Sequence, residues 1–236
     1  MASVEAEGLI AHDVLAVVLR ITGTVPSVLL WQRAREPQDG RWALPGGRLG
    51  ATEDVEGSVR RHLADKVDLA EVAHVEQLSV FSDPHRGPAP RRVATAFVGL
   101  VPSDADPAVP ADTAWHPVDA LPPTAFDHGD ITRAGLERLR AKLSYTNIGF
   151  ALAPGAFTIS ELRRLYAAAL GHRVSATNLQ RVLTRRGVLV PTGTTAAPGP
   201  SGGRPAALFR FSERALRVTD PFATLRPPSC DPSESA

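Results

Sequence analysis

His62, Asp65 and Lys66 stand at i, i+3 and i+4 within residues 44–69, LPGGRLGATEDVEGSVRRHLADKVDL. On a helix those positions share one face. Carboxylates at that spacing hold hard divalent cations, which take oxygen ligands. Beside a diphosphate, such a cation neutralises charge and lowers the pKa of an attacking water. Here the set is eroded. Asp65 alone is a carboxylate, His62 offers a softer nitrogen that suits Zn or Ni, and Lys66 puts a cation where a metal would sit. Two like unit charges ~4 Å apart repel by roughly 4 kcal/mol at an effective dielectric near 20, so Lys66 opposes a metal unless its amine snorkels outward. The expectation is weak or absent Mg²⁺ or Mn²⁺ binding, no metal site, no cofactor and no catalytic residue. Asp54 and Glu56 are further carboxylates, out of register with that face. Taken alone, RRHLADKVD also reads as a charged surface helix.

The surrounding residues change that reading. The stretch resembles the Nudix signature, G-x5-E-x7-R-E-U-x-E-E-x-G-U with U aliphatic. Aligned from Gly47, it keeps Glu53, Arg61, Leu63 and Leu69. His62, Asp65 and Lys66 occupy the three later glutamate positions, and Asp68 the second glycine. The resemblance implies a phosphate-hydrolase fold whose chemistry has gone while nucleotide binding remains.

Charge is divided along the chain. The total is +1, yet residues 1–150 carry 15 Lys+Arg against 20 Asp+Glu, and residues 155–218 carry 10 Arg against 2 Glu. An acidic body joined to a basic module points to a polyanionic partner for the module. The single cysteine, Cys230, excludes an internal disulfide and a cysteine-based zinc site. The start, MASVEAEGLIAHD, lacks a basic segment followed by an apolar run, so no signal peptide, membrane span or membrane partner is expected and the setting is read as cytoplasmic.

Branched aliphatic runs predict strands over residues 14–21, 25–33, 75–81 and 92–101, with a short strand near 115–118. Residues 41–47 read as a glycine-bearing loop and residues 53–67 as a helix. This mixture predicts an α+β fold, with a mixed-sheet α/β/α sandwich over residues 1–130. Ile131, Leu136, Leu139 and Leu143 predict a linker helix, followed by an apolar connector to residue 154. Residues 219–236, rich in proline, read as a disordered tail.

Residues 155–218 read as a winged helix-turn-helix. Thr158 and Glu161 fit a capping box, and Gly171 ends the helix they open. Ser175 caps a second helix that Gly187 closes. Leu179, Val182 and Leu183 form its buried stripe. Thr177, Asn178, Gln180, Arg181, Thr184 and Arg185 lie largely outside that stripe. Asn and Gln pair with adenine, Arg with guanine, each contact discriminating by ~1–3 kcal/mol. Extended segments at 188–191 and 207–211 flank a loop holding Arg204, a wing for the DNA backbone or minor groove. The alternative is a helical dimerisation module with a solvated arginine face.

Taken together these features resemble the Nudix-related transcriptional regulators (NrtR). The resemblance rests on the degenerate Nudix helix and on residues 79–102, 126–171 and 202–211 (GGRPAALFRF). It implies a repressor of NAD synthesis or salvage genes, dimeric on palindromic double-stranded operator DNA, with ADP-ribose or a related metabolite as effector. Carried onto this chain, it assigns ligand contact to Leu44, Pro45, Gly46, Gly47 and Arg48, with Arg91 or Arg92 as a second anion contact. Trp42 is a candidate to stack on adenine, or else a packed aromatic near a turn. HRGPAPRR makes the preceding turn longer than the family's usual form. Two rival readings remain: an active Nudix hydrolase of ADP-ribose or a similar nucleoside diphosphate derivative, using Mn²⁺ at Glu53, His62 and Asp65, and a protein-binding scaffold.

Overall fold

A computed structural model of the chain describes residues 10–67, 69, 72–88, 90–197 and 205–220. The expected disordered tail therefore lies almost wholly outside the described residues, and so does Arg204.

The first strand, β1 (Ala11–Thr22), explains the whole body. Strand side chains alternate between faces, and both faces of β1 are apolar. Leu15, Val17, Leu19 and Ile21 enter one core cluster, while Val14, Ala16 and Val18 enter another. A strand buried on both sides needs a layer on each side. Helix α1 (Val55–Val67) covers one face with Val59, Leu63 and Val67. Helix α2 (His128–Tyr145) covers the other with Ile131, Leu136, Leu139 and Leu143.

The sheet between them has seven strands in the order β3-β2-β1-β6-β5, with β4 added against β1 and β7 against β2. Here β2 is Val25–Gln32, β3 Trp42–Ala43, β4 Gly46–Arg48, β5 His74–Phe81, β6 Arg92–Leu100 and β7 Thr113–Pro117. The β1–β6 pair is parallel, from Ala11↔Arg92 to Leu19↔Leu100, and the rest are antiparallel. This is the expected mixed-sheet α/β/α sandwich.

Two local expectations are corrected, and a third is extended. Residues 41–47 are not simply a loop, because Gly46–Arg48 pairs with Asp13–Leu15 as a strand. Helix α1 begins at Val55 rather than Glu53, because Asp54 accepts from the Gly57 amide at 2.7 Å and caps it. The helix expected as a linker is also a structural layer: its apolar stripe packs on the sheet before its far end meets the second module.

The connector holds a buried 3-10 turn, Ile148–Ala151. The module then comprises β8 (Phe157–Thr158), α3 (Ile159–Leu170), α4 (Ala176–Arg185), β9 (Leu189–Thr195) and β10 (Ala207–Phe211), with sheet order β8-β10-β9. Both bonds of the Thr158–Glu161 capping box are made, and Gly171 closes α3 in the left-handed conformation. Ser175 caps α4. The module core shares one cluster with the α2 face of the body, so the two units pack as a continuous interior. Residues 215–220 strap them further. Asn147 bonds the backbone of Ala215 and Arg217, and Arg186, at the end of α4, grips Asp220 at 2.7 Å and the Ser144 carbonyl at 2.9 Å.

Candidate functional site

A cavity at one edge of the sheet and the outer face of α4 both expose organised polar chemistry.

The cavity encloses about 620 Å³ and is walled by β1, the end of β2 with the chain after it, the segment through β4, and the start of α2. Its lining is cationic: Arg33, Arg35, Arg48, Lys66, Arg86 and Arg92 face it, against Asp13 and Glu36. Asp13 organises three of these. Arg92 bonds it at 2.8 Å, with Arg48 at 3.7 Å and Arg86 at 4.0 Å. Arg86 also bonds Asp127 with two nitrogens, at 2.9 and 3.0 Å. Two carboxylates, Asp13 and Asp127, among three guanidiniums leave a net positive charge, and Lys66, Arg33 and Arg35 add to the positive potential of the cavity.

Lys66 turns into this cavity. Its amine donates to the Gly46 carbonyl and sits 4.8 Å from the centre of the Trp31 ring. Burial lowers its pKa, with Arg33 and Arg61 adding to the effect. On the opposite wall, His128 Nδ1 accepts from the Leu44 amide at 3.0 Å. Full burial holds the His128 pKa down to about 3, so the ring is neutral and remains an acceptor. That bond fixes the turn at Leu44–Gly47. At Gly46 the backbone has φ +155°, and a Cβ would lie 2.2 Å from the Val14 carbonyl; only glycine allows β4 to approach β1 so closely.

The eroded metal face is a packed surface. His62 is buried, with Nε2 3.1 Å from the Arg48 carbonyl, and a Cβ on Gly47 would meet its ring at 2.7 Å. Burial lowers the pKa of His62 and favours the neutral imidazole. Arg61 clamps Glu53 with two bonds, at 2.6 and 2.9 Å. That clamp, with the Gly50 amide, holds the Glu53 carboxyl down to about 2. Asp65 points outward beside Arg61. Among the described residues no three His, Cys, Asp or Glu side chains gather as a metal-binding group. The donor set here does not fit the divalent cation that a hydrolase of this fold would need.

Of the residues expected to touch a ligand, Leu44, Gly46, Gly47, Arg48 and Arg92 line the cavity. Trp42, Pro45 and Arg91 do not. Trp42 is on the strand next to Ala43, and alternation sends Ala43 to the cavity while Trp42 packs edge-on against His116 at 4.3 Å. The Pro45 carbonyl ties the turn to the Ala16 amide at 2.8 Å. Arg91 reaches back to the Ser82 carbonyl at 3.3 Å. Sequence reasoning missed Trp31, Arg33 and Arg86. The period of two along β2 carries a signal for the first pair. Arg86 had none, since it sits in an irregular turn and becomes buried only through Asp127, 41 residues away.

On α4, Leu179 and Leu183 are buried and Val182 is partly so. Thr177, Asn178, Arg181, Thr184 and Arg185 are exposed, while Gln180 is half-buried at the margin. Arg181 bonds Asn178 at 2.8 Å, which aligns both along one row. The Ala196 amide bonds the Ala206 carbonyl at 2.8 Å, extending the β9–β10 hairpin beyond the strands as a wing.

A sheet sandwich with an α1 of this kind, joined to a helix-turn-helix and hairpin, defines a Nudix domain coupled to a winged helix. Comparison with known proteins agrees. Residues 11–134 match the NUDIX domain and residues 149–211 the NrtR DNA-binding winged helix domain. The chain belongs to the NrtR family of Nudix-related regulators. It is 30% identical over 192 residues to the ADPR responsive transcriptional repressor NtrR of Acinetobacter baylyi, covering 78% of this chain and 75% of that protein. It is similar to the crystal structure of Shewanella oneidensis NrtR complexed with a 27mer DNA, at 28% identity and TM-score 0.72, over 85% of this chain and 93% of that one. The NUDIX domain of the Shewanella protein complexed with ADP ribose also matches, at 28% identity and TM-score 0.52, over 58% of this chain and 94% of that one. Among the described residues no helix is long and apolar enough to cross a membrane.

Proposed function

We propose that this protein is a transcriptional repressor of NAD synthesis or salvage genes, dimeric on palindromic operator DNA, and released by ADP-ribose or a related nucleotide bound in the cationic cavity. The observation that carries the proposal is one chain holding both a six-cation cavity and a helix whose exposed row is Thr177, Asn178, Arg181, Thr184 and Arg185. The row suits base edges in a major groove. The cavity suits a diphosphate bridged to an apolar base, with Trp31 and Phe126 as its aromatic walls.

The cavity acts as a sensor and not as a catalyst. Lys66, Arg48 and Arg92 compensate phosphate charge with fixed side chains, so binding requires no metal. His62 is buried with its Nε2 against the Arg48 carbonyl, and Asp65 points outward, so among the described residues neither is placed to hold a metal or to activate a water at a phosphate in the cavity. Control follows from linkage: a ligand that prefers the conformation unsuited to DNA lowers operator affinity. Complete reversal of a 99:1 population needs ~5.5 kcal/mol of differential affinity, shared between the two cavities of a dimer.

The test is a fluorescence-anisotropy titration of operator duplex, selected from genomic fragments, with and without ADP-ribose and with EDTA present. Release by ADP-ribose in EDTA, reduced about tenfold in sensitivity by Lys66→Ala, is the expected result. No release by any NAD-derived nucleotide ends the sensor reading. Mn²⁺-dependent phosphate production from ADP-ribose, measured with a coupled phosphatase, ends the non-catalytic one.

A further inference from the structure

A second cleft, of about 670 Å³, lies between the two units, where the β1–β2 turn and α2 face α3 and the turn after it. Four arginines line it: Arg140 from α2, Arg163 and Arg164 from α3, and Arg173 from the following turn. Asp119 is the only carboxylate among the lining residues. Arg140 is held in place, its Nε donating to the Ala169 carbonyl at 3.1 Å while another nitrogen bonds Glu137. The side chains of Arg163, Arg164 and Arg173 make no ion pair or hydrogen bond among the described residues, in contrast to the paired arginines of the body.

Like charges gathered without counter-charge raise the free energy of a fold, and an anion placed among them lowers it. The cleft is open to solvent, and its volume falls in the range of ligand sites. We infer that this interdomain cleft is a second anion site, taking a small phosphorylated molecule of up to nucleotide size, separate from the cavity at the sheet edge. A free small anion is favoured over DNA for two reasons. No residue of α4 lines the cleft, so it is set apart from the polar row that faces solvent. Its cations also come from both units, so an occupant bridges α2 to α3 and tightens the module against the body. The site therefore offers a second chemical input to DNA binding.

Calorimetric titration of the full chain with sodium pyrophosphate, without DNA, tests this. The unchanged chain, an Arg163→Gln/Arg173→Gln chain and a Lys66→Glu chain are compared. The expected result is a binding event that weakens about tenfold or more in the double variant and persists in Lys66→Glu. An isotherm unchanged by the double variant overturns the inference. So does binding abolished by Lys66→Glu alone, which assigns all the heat to the first cavity. A double variant that keeps its pyrophosphate binding but, in a separate anisotropy titration, loses affinity for duplex DNA gives these arginines to the nucleic-acid backbone, and also overturns it. Thermal melting accompanies each titration. An Arg163→Lys/Arg173→Lys chain, which keeps the charge, is expected to retain most of the binding; loss equal to that of the glutamine variant points to disrupted packing and overturns the inference.

Discussion

Helices α1 and α4 each show solvent a row of charged and polar side chains, yet they use charge in opposite ways. On α1 the charges close on one another: Arg60 with Glu56, Arg61 with Glu53 and Asp65. Its one remaining cation, Lys66, turns inward to the cavity. On α4, Arg181 meets only an asparagine and Arg185 meets no carboxylate among the described residues. A helix whose charges are mutually neutralised has little left to offer a partner. One whose cations lack partners, in a module with 10 Arg against 2 Glu, gains by meeting a polyanion. The difference separates charge that shapes the protein from charge that binds.

The comparison is tested most severely at Arg86, the most deeply placed of the shaping cations, with its side chain 4% exposed. Arg86→Ala leaves Asp127 without its counter-charge, while Asp13 keeps Arg92, and a loss of roughly 3–5 kcal/mol in urea unfolding is expected. A loss below 1 kcal/mol places Arg86 with the binding cations instead.

Arg185→Ala on α4 should leave unfolding unchanged and weaken operator binding. A contact to a base edge is worth ~1–3 kcal/mol, or about tenfold to a hundredfold in affinity. If the side chain meets a phosphate, the slope of log affinity against log salt falls by about one. Wild-type affinity at every salt concentration removes α4 from the interface.

The buried ring of His128 predicts an acid limb. Its folded pKa of about 3 lies below the ordinary 6.5, so the unfolded chain takes up a proton that the folded chain refuses. The stability it supports is complete above pH 6.5 and declines as pH falls from there toward 3, at up to about 1.4 kcal/mol per pH unit. Burial-lowered His62 and His116 steepen the same limb. Denaturant midpoints at successive pH values should show a shallower limb in His128→Asn. An identical slope in that variant assigns the acid sensitivity elsewhere.

The smallest effect belongs to α1. Arg60→Ala removes an exposed i,i+4 pair with Glu56, and such pairs contribute ~0.3–0.5 kcal/mol. Operator affinity should not change. A drop in DNA binding there would erase the contrast between the two helices.

Much of this was legible along the chain, for local reasons. The capping box at Thr158 and Glu161, the Gly171 stop, the Ser175 cap and the Leu179/Leu183 stripe all follow from contacts within four residues. The opposed apolar faces of β1 follow from its unbroken run of aliphatics. The cavity was half legible. Leu44, Gly46, Gly47, Arg48 and Arg92, named from the resemblance, line the cavity, while Trp31 lines it and Trp42 does not, because strand parity, set by pairing with β2, decides which aromatic looks inward. Arg86 was illegible because its partners, Asp13 and Asp127, lie far from it in the chain.

By itself the sequence determined the long helices and strands, though not β3 and β4, where the helices of the module start and stop, and that a basic module follows an acidic body. Those properties depend on propensity, periodicity and charge, which are local or additive. Only the tertiary structure decided that Lys66 and five arginines meet around one cavity, that His62 is sealed under Gly47, and that α2 is a layer of the sheet as well as the bridge to α3. Those outcomes depend on which strands pair and which faces pack, and such contacts join residues that no local pattern connects.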